Sequence, residues 1–421
     1  MKRSAIAITL FIVCSVLALS TQGHAINGPL LDGQGARVMG MGATNIAVTN
    51  DSNAIANNPG AIFAHDAGVV NVEVGILNPH TKFKNNLNDE DGENLLCAAP
   101  SAGFLTTPLG GKIKLGFGLF STGGLASEFR LTNDLYGDQV YESDLCFMKL
   151  LPAIGYKVNE KLSIGLTLGA GYQTLRLKMP YQVHSGALAG NVMVADLRME
   201  GMSYCGSLGI LYKVNDAVRI GFVYKSATEI DLSGDANIDA SALGAGTAKY
   251  DLDATYEWPQ TAGFGLSYQA TPRWLFGVDL EWINWKKAMD TLEIKFSKGN
   301  SESLPTALDD NLPLNWDDQY VVRLGGEYKA TDKLTLRSGI SYGKSPIPDN
   351  TVMPVLCTLT EWSATIGLGY HFTEDVSFNA AYLHSFEHTQ DTDVSLIGDE
   401  YNGSSTSMAL DGIYMGLAVM F

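Results

Sequence analysis

The chain has 421 residues and 45.2 kDa, is 46% hydrophobic but only 17% charged, and carries 45 Gly at a mean hydropathy of +0.04. So low a charge density with so many apolar residues excludes a disordered polypeptide, and the only long apolar run, Ala5 to Leu19, is shorter than the roughly 20 residues of a spanning helix. The balance of 28 Lys+Arg against 45 Asp+Glu, net −17 with a pI near 4.7, excludes sequence-independent nucleic-acid binding, which depends on cationic contacts to phosphate.

The N-terminus reads as an export signal. Lys2 and Arg3 precede the apolar run, and Gly23-His24-Ala25 offers small residues for cleavage after Ala25, so residues 1–25 are set apart from the fold. Cys14 lies inside the apolar run after Val13, where a lipoprotein signal is not cut. The mature chain keeps Cys97, Cys146, Cys205 and Cys357. An exported protein meets an oxidising compartment, so these thiols are free to pair in any of three ways or to stay single.

Residues 26–66 do not alternate. They contain Gly28, Gly33, Gly35, Gly40 and Gly42, then Asn50-Asp51-Ser52-Asn53-Ala54-Ile55-Ala56-Asn57-Asn58-Pro59-Gly60. This is a disordered leader or a folded plug. Gly40-Met41-Gly42 is not a dinucleotide loop, because no strand and helix frame it.

From residue 68 the pattern has period two. Leu162, Ile164, Leu166 and Leu168 alternate with Ser163, Gly165, Thr167 and Gly169, and the chain ends with Ile413, Met415, Leu417, Val419 and Phe421 on one phase. Each strand therefore has one apolar face and one small or polar face. Several such runs reach ten residues, which suits the ~9–11 of a tilted membrane-spanning strand better than the usual 5–6.

The connections sharpen this reading. Five times a strand ends in Tyr and crosses a tight turn: Tyr156 to Glu160, Tyr212 to Asp216, Tyr268 to Pro272, Tyr328 to Asp332 and Tyr370 to Glu374. A sixth short turn fits Leu109-Gly110-Gly111. Between them lie long polar connections at Asn78–Ala99, Thr122–Cys146, Leu175–Glu200, Asp231–Trp258, Lys286–Gln319, Lys344–Thr360 and Glu387–Ala409. The strands between these connections number about fourteen, the plan of an outer-membrane barrel with short turns on one side and long loops on the other. The repeated Tyr predicts an aromatic girdle at the periplasmic interface, and Phe421 puts both termini on that side. Such a barrel is too wide for wall side chains to fill, so it is either plugged or open.

Two stretches carry a resemblance. Gly35-Ala36-Arg37-Val38-Met39-Gly40-Met41-Gly42 with Asp51-Ser52 and Asn58-Pro59-Gly60 resembles the N-terminal hatch of FadL/TodX-type outer-membrane transporters of long-chain fatty acids and other hydrophobic compounds. Trp316-Asp317-Asp318-Gln319-Tyr320, Arg323 to Tyr328, Leu334 to Ile340, Ser345-Pro346-Ile347-Pro348 and Gly367 to Tyr370 are similar to that family in order and spacing. The family's hatch motif usually reads Asn-Pro-Ala, and Gly60 stands in its third place here.

The resemblance implies an all-β transmembrane antiparallel barrel over residues 67–421, with residues 26–66 as a hatch inside the lumen. It also implies passive uptake of a long-chain fatty acid or another hydrophobic small molecule, through loop capture, a lumen pocket, hatch rearrangement and lateral release. Asn58, Pro59 and Gly60 become the candidate gating residues. Leu125, Phe129, Leu131 and Leu135, in an unusually apolar loop, are the capture candidates; the alternative for them is folding back onto the barrel rim. Arg337, Arg323, Arg273 and Arg219 fall on the lumen-facing phase and suit a bidentate grip on a carboxylate, or pair instead with acids such as Asp279 or Glu281.

The expected surroundings are outer-membrane lipid and lipopolysaccharide, for a monomer without cofactor, metal or nucleic acid. His384-Ser385-Phe386-Glu387-His388 matches the H-x-x-E-H string, but that motif needs a helix to bring its histidines together, and this context is strand and loop. The acids Asp89-Glu90-Asp91 and Asp391 to Asp393 read as solvated loop residues, with cation bridging to lipopolysaccharide as a second role. No nucleophilic triad stands out, so no enzyme is expected. The rival readings are aromatic-hydrocarbon uptake by the same fold, a water-filled porin, an adhesive or structural barrel, and a barrel hydrolase.

Overall fold

A computed structural model describes residues 27–64, 67–109 and 111–421. The export signal 1–25 with its cleavage point, Cys14, Ile26 and Gly110 lie outside the described residues. The strands are β1 (Val69–Lys84), β2 (Asp89–Asp91), β3 (Cys97–Leu109), β4 (Ile113–Asn133), β5 (Gly137–Lys157), β6 (Leu162–Gln182) and β7 (Val192–Lys213). They continue with β8 (Val218–Lys225), β9 (Thr228–Asp239), β10 (Thr247–Trp258), β11 (Thr261–Gln269), β12 (Trp274–Ile283), β13 (Thr291–Ser297) and β14 (Leu308–Pro313). The last are β15 (Gln319–Lys329), β16 (Leu334–Gly343), β17 (Trp362–His371), β18 (Val376–Thr392) and β19 (Ser404–Met420).

Fourteen of these close an antiparallel ring in the order β1-β3-β4-β5-β6-β7-β8-β11-β12-β15-β16-β17-β18-β19. Closure comes from β1 against β19, Val69 opposite Met420 through Lys84 opposite Ser405. Gly68 and Phe421 exchange backbone hydrogen bonds at the short-turn end, and Phe421 stacks on Phe104 at 5.8 Å.

The alternating faces are inverted relative to a soluble sandwich. Ile164, Leu166 and Leu168 are exposed, while Ser163 and Thr167 are buried. Tyr156, Tyr212, Tyr268 and Tyr370 face outward above the short turns, and Tyr328 packs against the exposed Trp274 with ring centroids 4.5 Å apart, so the five repeated tyrosines do form one band.

Most segments expected to be long loops are strand instead. β4 and β5 stay paired up to Asn133 opposite Gly137, and β6 and β7 up to Gln182 opposite Val192. Asp231–Trp258 and Lys286–Gln319 hold β9, β10, β13 and β14, which extend β7 sideways into a crown through the β7–β9, β9–β10, β10–β13 and β13–β14 pairs. The physical reason is that these strands stand in water, so their outward phase is acidic (Glu229, Asp231, Asp235, Asp251, Asp253) while Ile230, Leu232, Leu252 and Ala254 point inward and are buried. Acid density there marks height above the membrane rather than loop.

Candidate functional site

The hatch fills the short-turn half of the lumen as two four-residue helices, α1 (Ala36–Met39) and α2 (Ala54–Asn57), followed by a 3₁₀ turn over Pro59–Phe63. Nearly every residue from Ala36 to Ile62 is buried. The wall receives it with glycine. Gly155, Gly165 and Gly209 are cross-strand neighbours on β5, β6 and β7, and a Cβ on any of them would collide with Ile62, Pro59 or Asn58. Gly277, Gly325 and Gly339 form a second row under Val48, Met41 and Gly42. Backbone-to-backbone packing therefore seats the hatch on both sides.

Asn58 fastens this seat. Its Nδ2 donates to the carbonyls of Ile46 (2.7 Å) and Ile210 (3.2 Å), and its Oδ1 accepts from Gly60 N (2.9 Å). Ser163 Oγ donates to the Gly60 carbonyl at 2.7 Å. Pro59 and Gly60 thus lie against β6 and β7, with Pro59 opening the turn.

Wall carboxylates hold the remaining hatch donors. Glu73 accepts from Ala36 N (2.5 Å) and Asn53 Nδ2 (2.7 Å), and Asp279 from Asn45 N (2.6 Å) and Ile46 N (3.1 Å). Glu327 bridges Arg37 of the hatch (3.1 Å) and Arg337 of the wall (2.8 Å). Arg323 is fully buried on Glu281 at 2.7 Å. Of the four head-group candidates, Arg337 and Arg323 are therefore engaged by acids, Arg219 is half-buried at the short-turn mouth, and Arg273 falls in an exposed turn rather than on a strand. The lumen-facing phase assigned to Arg273 is corrected, because β12 begins only at Trp274.

A cavity of about 70 Å³ lies between the hatch and the wall, beyond α2. Leu30, Leu31, Leu151, Trp258 and Ile283 give it apolar patches among polar residues such as Gln34, Asn57, Thr167 and Ser207, and Lys149 and Lys225 bring two cations to it. Lys149 Nζ sits 5.0 Å from the centroid of the Phe147 ring. Asp32 and Glu281 also line the cavity, Glu281 paired with Arg323; among the described residues neither lysine forms an ion pair. These lysines were missed in the sequence. The signal was present, since each is a cation on the inward phase of a wall strand, but the sequence does not show which lumen acids lie near it.

Above this cavity the lumen is filled by one apolar cluster that includes Phe83, Phe129, Phe147, Trp258, Trp285 and Tyr401. Leu125, Phe129 and Leu131 belong to it: they lie on β4, point inward and are at most 2% exposed. The segment expected to capture substrate is thus a strand, and of its four candidates only Leu135, at the hairpin tip and 56% exposed, meets solvent.

The wall is broken at one side of this cavity. β3 and β4 pair no higher than Ser101 opposite Phe120, while β3 continues along β1 up to Cys97 opposite Leu77. From Ser121 to Ser127, β4 has only β5 for a neighbour, with a bulge at Thr122. The Glu93 N–H donates to the Glu128 carbonyl (2.8 Å) and closes the break above. On the inside, Leu31 N donates to Thr122 O (3.0 Å), Gly124 N to Pro29 O (2.8 Å) and Gln34 Nε2 to Ser121 O (2.6 Å), so Pro29–Gln34 lies across the break as a strap.

The far mouth is capped by residues 393–403, between β18 and β19. Tyr401 is buried against Phe83 at 6.0 Å. Glu400 accepts from Tyr141 Oη (2.6 Å) and Asn133 Nδ2 (2.8 Å); burial, outweighing these bonds, pushes its carboxyl above the usual range. The Ile397 carbonyl accepts from His184 Nε2 at 3.0 Å. Asp310 gathers Tyr181 Oη (2.5 Å), Ser185 N (2.6 Å) and His184 N (2.9 Å). Burial opposes its charge, but the bonds from His184, Tyr181 and Ser185 win and hold the carboxyl below the usual range.

His384 and His388 both lie on β18 across a bulge and turn to different partners, Asp411 at 2.9 Å and Glu361 at 3.8 Å. All four described cysteines are free thiols, and burial pushes Cys357 up to about 12.

Residues 16–420 match the model of a family described as outer membrane protein transport protein (OMPP1/FadL/TodX). The chain is 24% identical over 328 residues to outer membrane protein P1 of Haemophilus influenzae, covering 70% of this chain and 68% of that one. It is 24% identical over 311 residues to the long-chain fatty acid transport protein of Escherichia coli, covering 66% and 67%. The 47 kDa outer membrane protein of Pasteurella multocida is 26% identical over 221 residues, and the match spans half of either chain. Among solved structures, the Pseudomonas putida toluene transporter TodX superposes with a TM-score of 0.80 at 21% identity, over 93% of this chain and 99% of that one. A Pseudomonas aeruginosa FadL homologue gives 0.76 at 17%, over 94% and 99%. The chain belongs to this outer-membrane transport family, which is not one of enzymes.

Proposed function

We propose that this member of the OMPP1/FadL/TodX family carries hydrophobic amphiphiles, long-chain fatty acids first among them, passively across the outer membrane. The observation that carries the choice of substrate is the pair Lys149 and Lys225, two cations on a lumen cavity of mixed apolar and polar lining, neither of which forms an ion pair among the described residues. A buried ammonium is costly unless it meets an anion, and a carboxylate on an apolar tail satisfies both halves of such a site. The exposed Leu135 starts capture at the crown, and the substrate then reaches the cavity beneath the apolar cluster. A shift of the hatch around Asn58, Pro59 and Gly60 frees the strap, and release is sideways through the break between β3 and β4. At about 70 Å³ the cavity holds only part of a long chain, so the described form is closed and loading must displace its neighbours. One chain closes the barrel, which suits a monomer set in outer-membrane lipid and lipopolysaccharide.

A second reading, uptake of aromatic hydrocarbons, draws on the stacked Phe147–Trp258 and T-shaped Trp285–Trp316 pairs inside the lumen. Uptake of radiolabelled oleate and toluene by a transport-deficient Gram-negative host separates the two. The expected result is oleate uptake that falls in a Lys149→Met/Lys225→Met chain while any toluene uptake is unchanged. Toluene uptake without oleate uptake, from a folded barrel, supports the second reading.

A further inference from the structure

We infer that Trp258 is the gate between the lumen cavity and the break in the wall, an inference that rests on lateral release as proposed above. Trp258 ends β10, and Pro259 follows before β11 begins, so the strand stops there and the indole is left inside the barrel, 1% exposed. It belongs at once to the apolar cluster above and to the lining of the cavity.

Its ring reaches across the lumen to β4. Gly123 lies in the stretch of β4 without a β3 partner, and Cζ3 of Trp258 is 2.5 Å from the place a Cβ on Gly123 would take. Pro29 O of the strap lies 2.9 Å from that same place. Thr122, Leu30 and Leu31, all at the break, line the cavity that Trp258 also lines. The inner side of the break is thus closed by two layers, the strap and the indole edge.

The ring is held by contacts that a rotation can release. It stacks flat on Phe147 (4.5 Å, 10°), and its Nε1 donates to Gln173 Oε1 at 2.6 Å. The cavity beside it gives it somewhere to go. A tail lying along the ring face can replace the Phe147 stack with its own apolar contact. Once the strap has moved, a turn of the indole away from Gly123 joins the cavity to the membrane. Gly123 is required on this account, because any side chain there would wedge against the ring.

The native thiol of Cys205, which lines the same cavity beside Lys149, reports passage without reference to any substrate. The full chain carrying Cys97→Ser, Cys146→Ser and Cys357→Ser is folded into lipid vesicles, and pyrene maleimide dissolved in the lipid labels the remaining thiol. Labelling is expected about tenfold faster in Trp258→Ala, with Trp258→Phe and Gln173→Leu in between, as loss of one stack and one hydrogen bond implies. Equal rates in folded barrels would overturn the gate, and the Phe and Leu variants decide the matter if the alanine variant does not fold. Oleate uptake measured in parallel keeps the two readings apart. Faster labelling without oleate uptake leaves the gate standing and removes the fatty acid, whereas oleate uptake with unchanged labelling removes the gate alone.

Discussion

The carbonyl oxygen of Pro59 points into the space that a Cβ on Gly165 would fill, so hatch and wall meet there without an intervening side chain. Gly165→Val keeps a residue that suits the strand but forces the 3₁₀ turn off β6, at an overpacking cost of about 1–3 kcal/mol. Hydrogen exchange of residues 46–63 is expected to speed up while β6 itself stays protected. Unchanged exchange in the hatch would show that the turn is not seated on this glycine.

Asn58→Ala removes three hydrogen bonds and leaves the buried Ile46 carbonyl and the half-buried Ile210 carbonyl without this donor. The expected loss is about 1–3 kcal/mol of hatch stability, with the barrel intact by its heat-dependent migration on gels. Oleate uptake should change at equal surface expression, since the turn is the proposed pivot.

The crown should respond to acid through Asp310. Its folded pKa lies below the ordinary value, so its hydrogen bonds contribute stability that is full above about pH 4 and fades as the pH falls through the folded value. Asp310→Asn is expected to loosen the crown by about 1–3 kcal/mol at neutral pH and to remove most of the acid dependence. Protease cleavage within residues 393–403, followed from pH 7 to pH 3, checks both parts.

Phe129 and Leu135, neighbours in one apolar stretch, should behave differently. Phe129→Ala empties a fully buried site and is expected to cost about 3–5 kcal/mol, lowering thermal stability. Leu135→Ser, at the exposed tip, should leave the melting temperature alone and slow uptake only at low oleate concentration. A Leu135→Ser chain with full uptake at every concentration would place capture elsewhere.

Strand period, the five Tyr-turn repeats and Phe421 made the ring, its direction and its outer girdle legible, because lipid on one side imposes the same alternation on every wall strand. The crown was misread for the same reason in reverse. Where β9 and β10 leave the membrane their outer phase becomes acidic, and alternation between Asp and Leu looks like loop when judged by charge. Asn58, Pro59 and Gly60 stood out as a turn. Their counterparts Gly155, Gly165 and Gly209 did not, since a glycine on the small phase of a strand shows only in three dimensions whether it faces a void or a neighbour. Arg323 and Lys149 illustrate the remaining difficulty. Both are lumen cations by phase, and which of them has an acid in reach depends on register between strands far apart in the chain.

Closure of the ring by its first and last strands has a topological consequence for assembly. The hatch lies just upstream of β1, and β1 acquires its second neighbour only when β19, the end of the chain, arrives beside it. The hatch is therefore tethered to the strand that closes the ring, and its point of attachment lies at the seam where first and last strands meet.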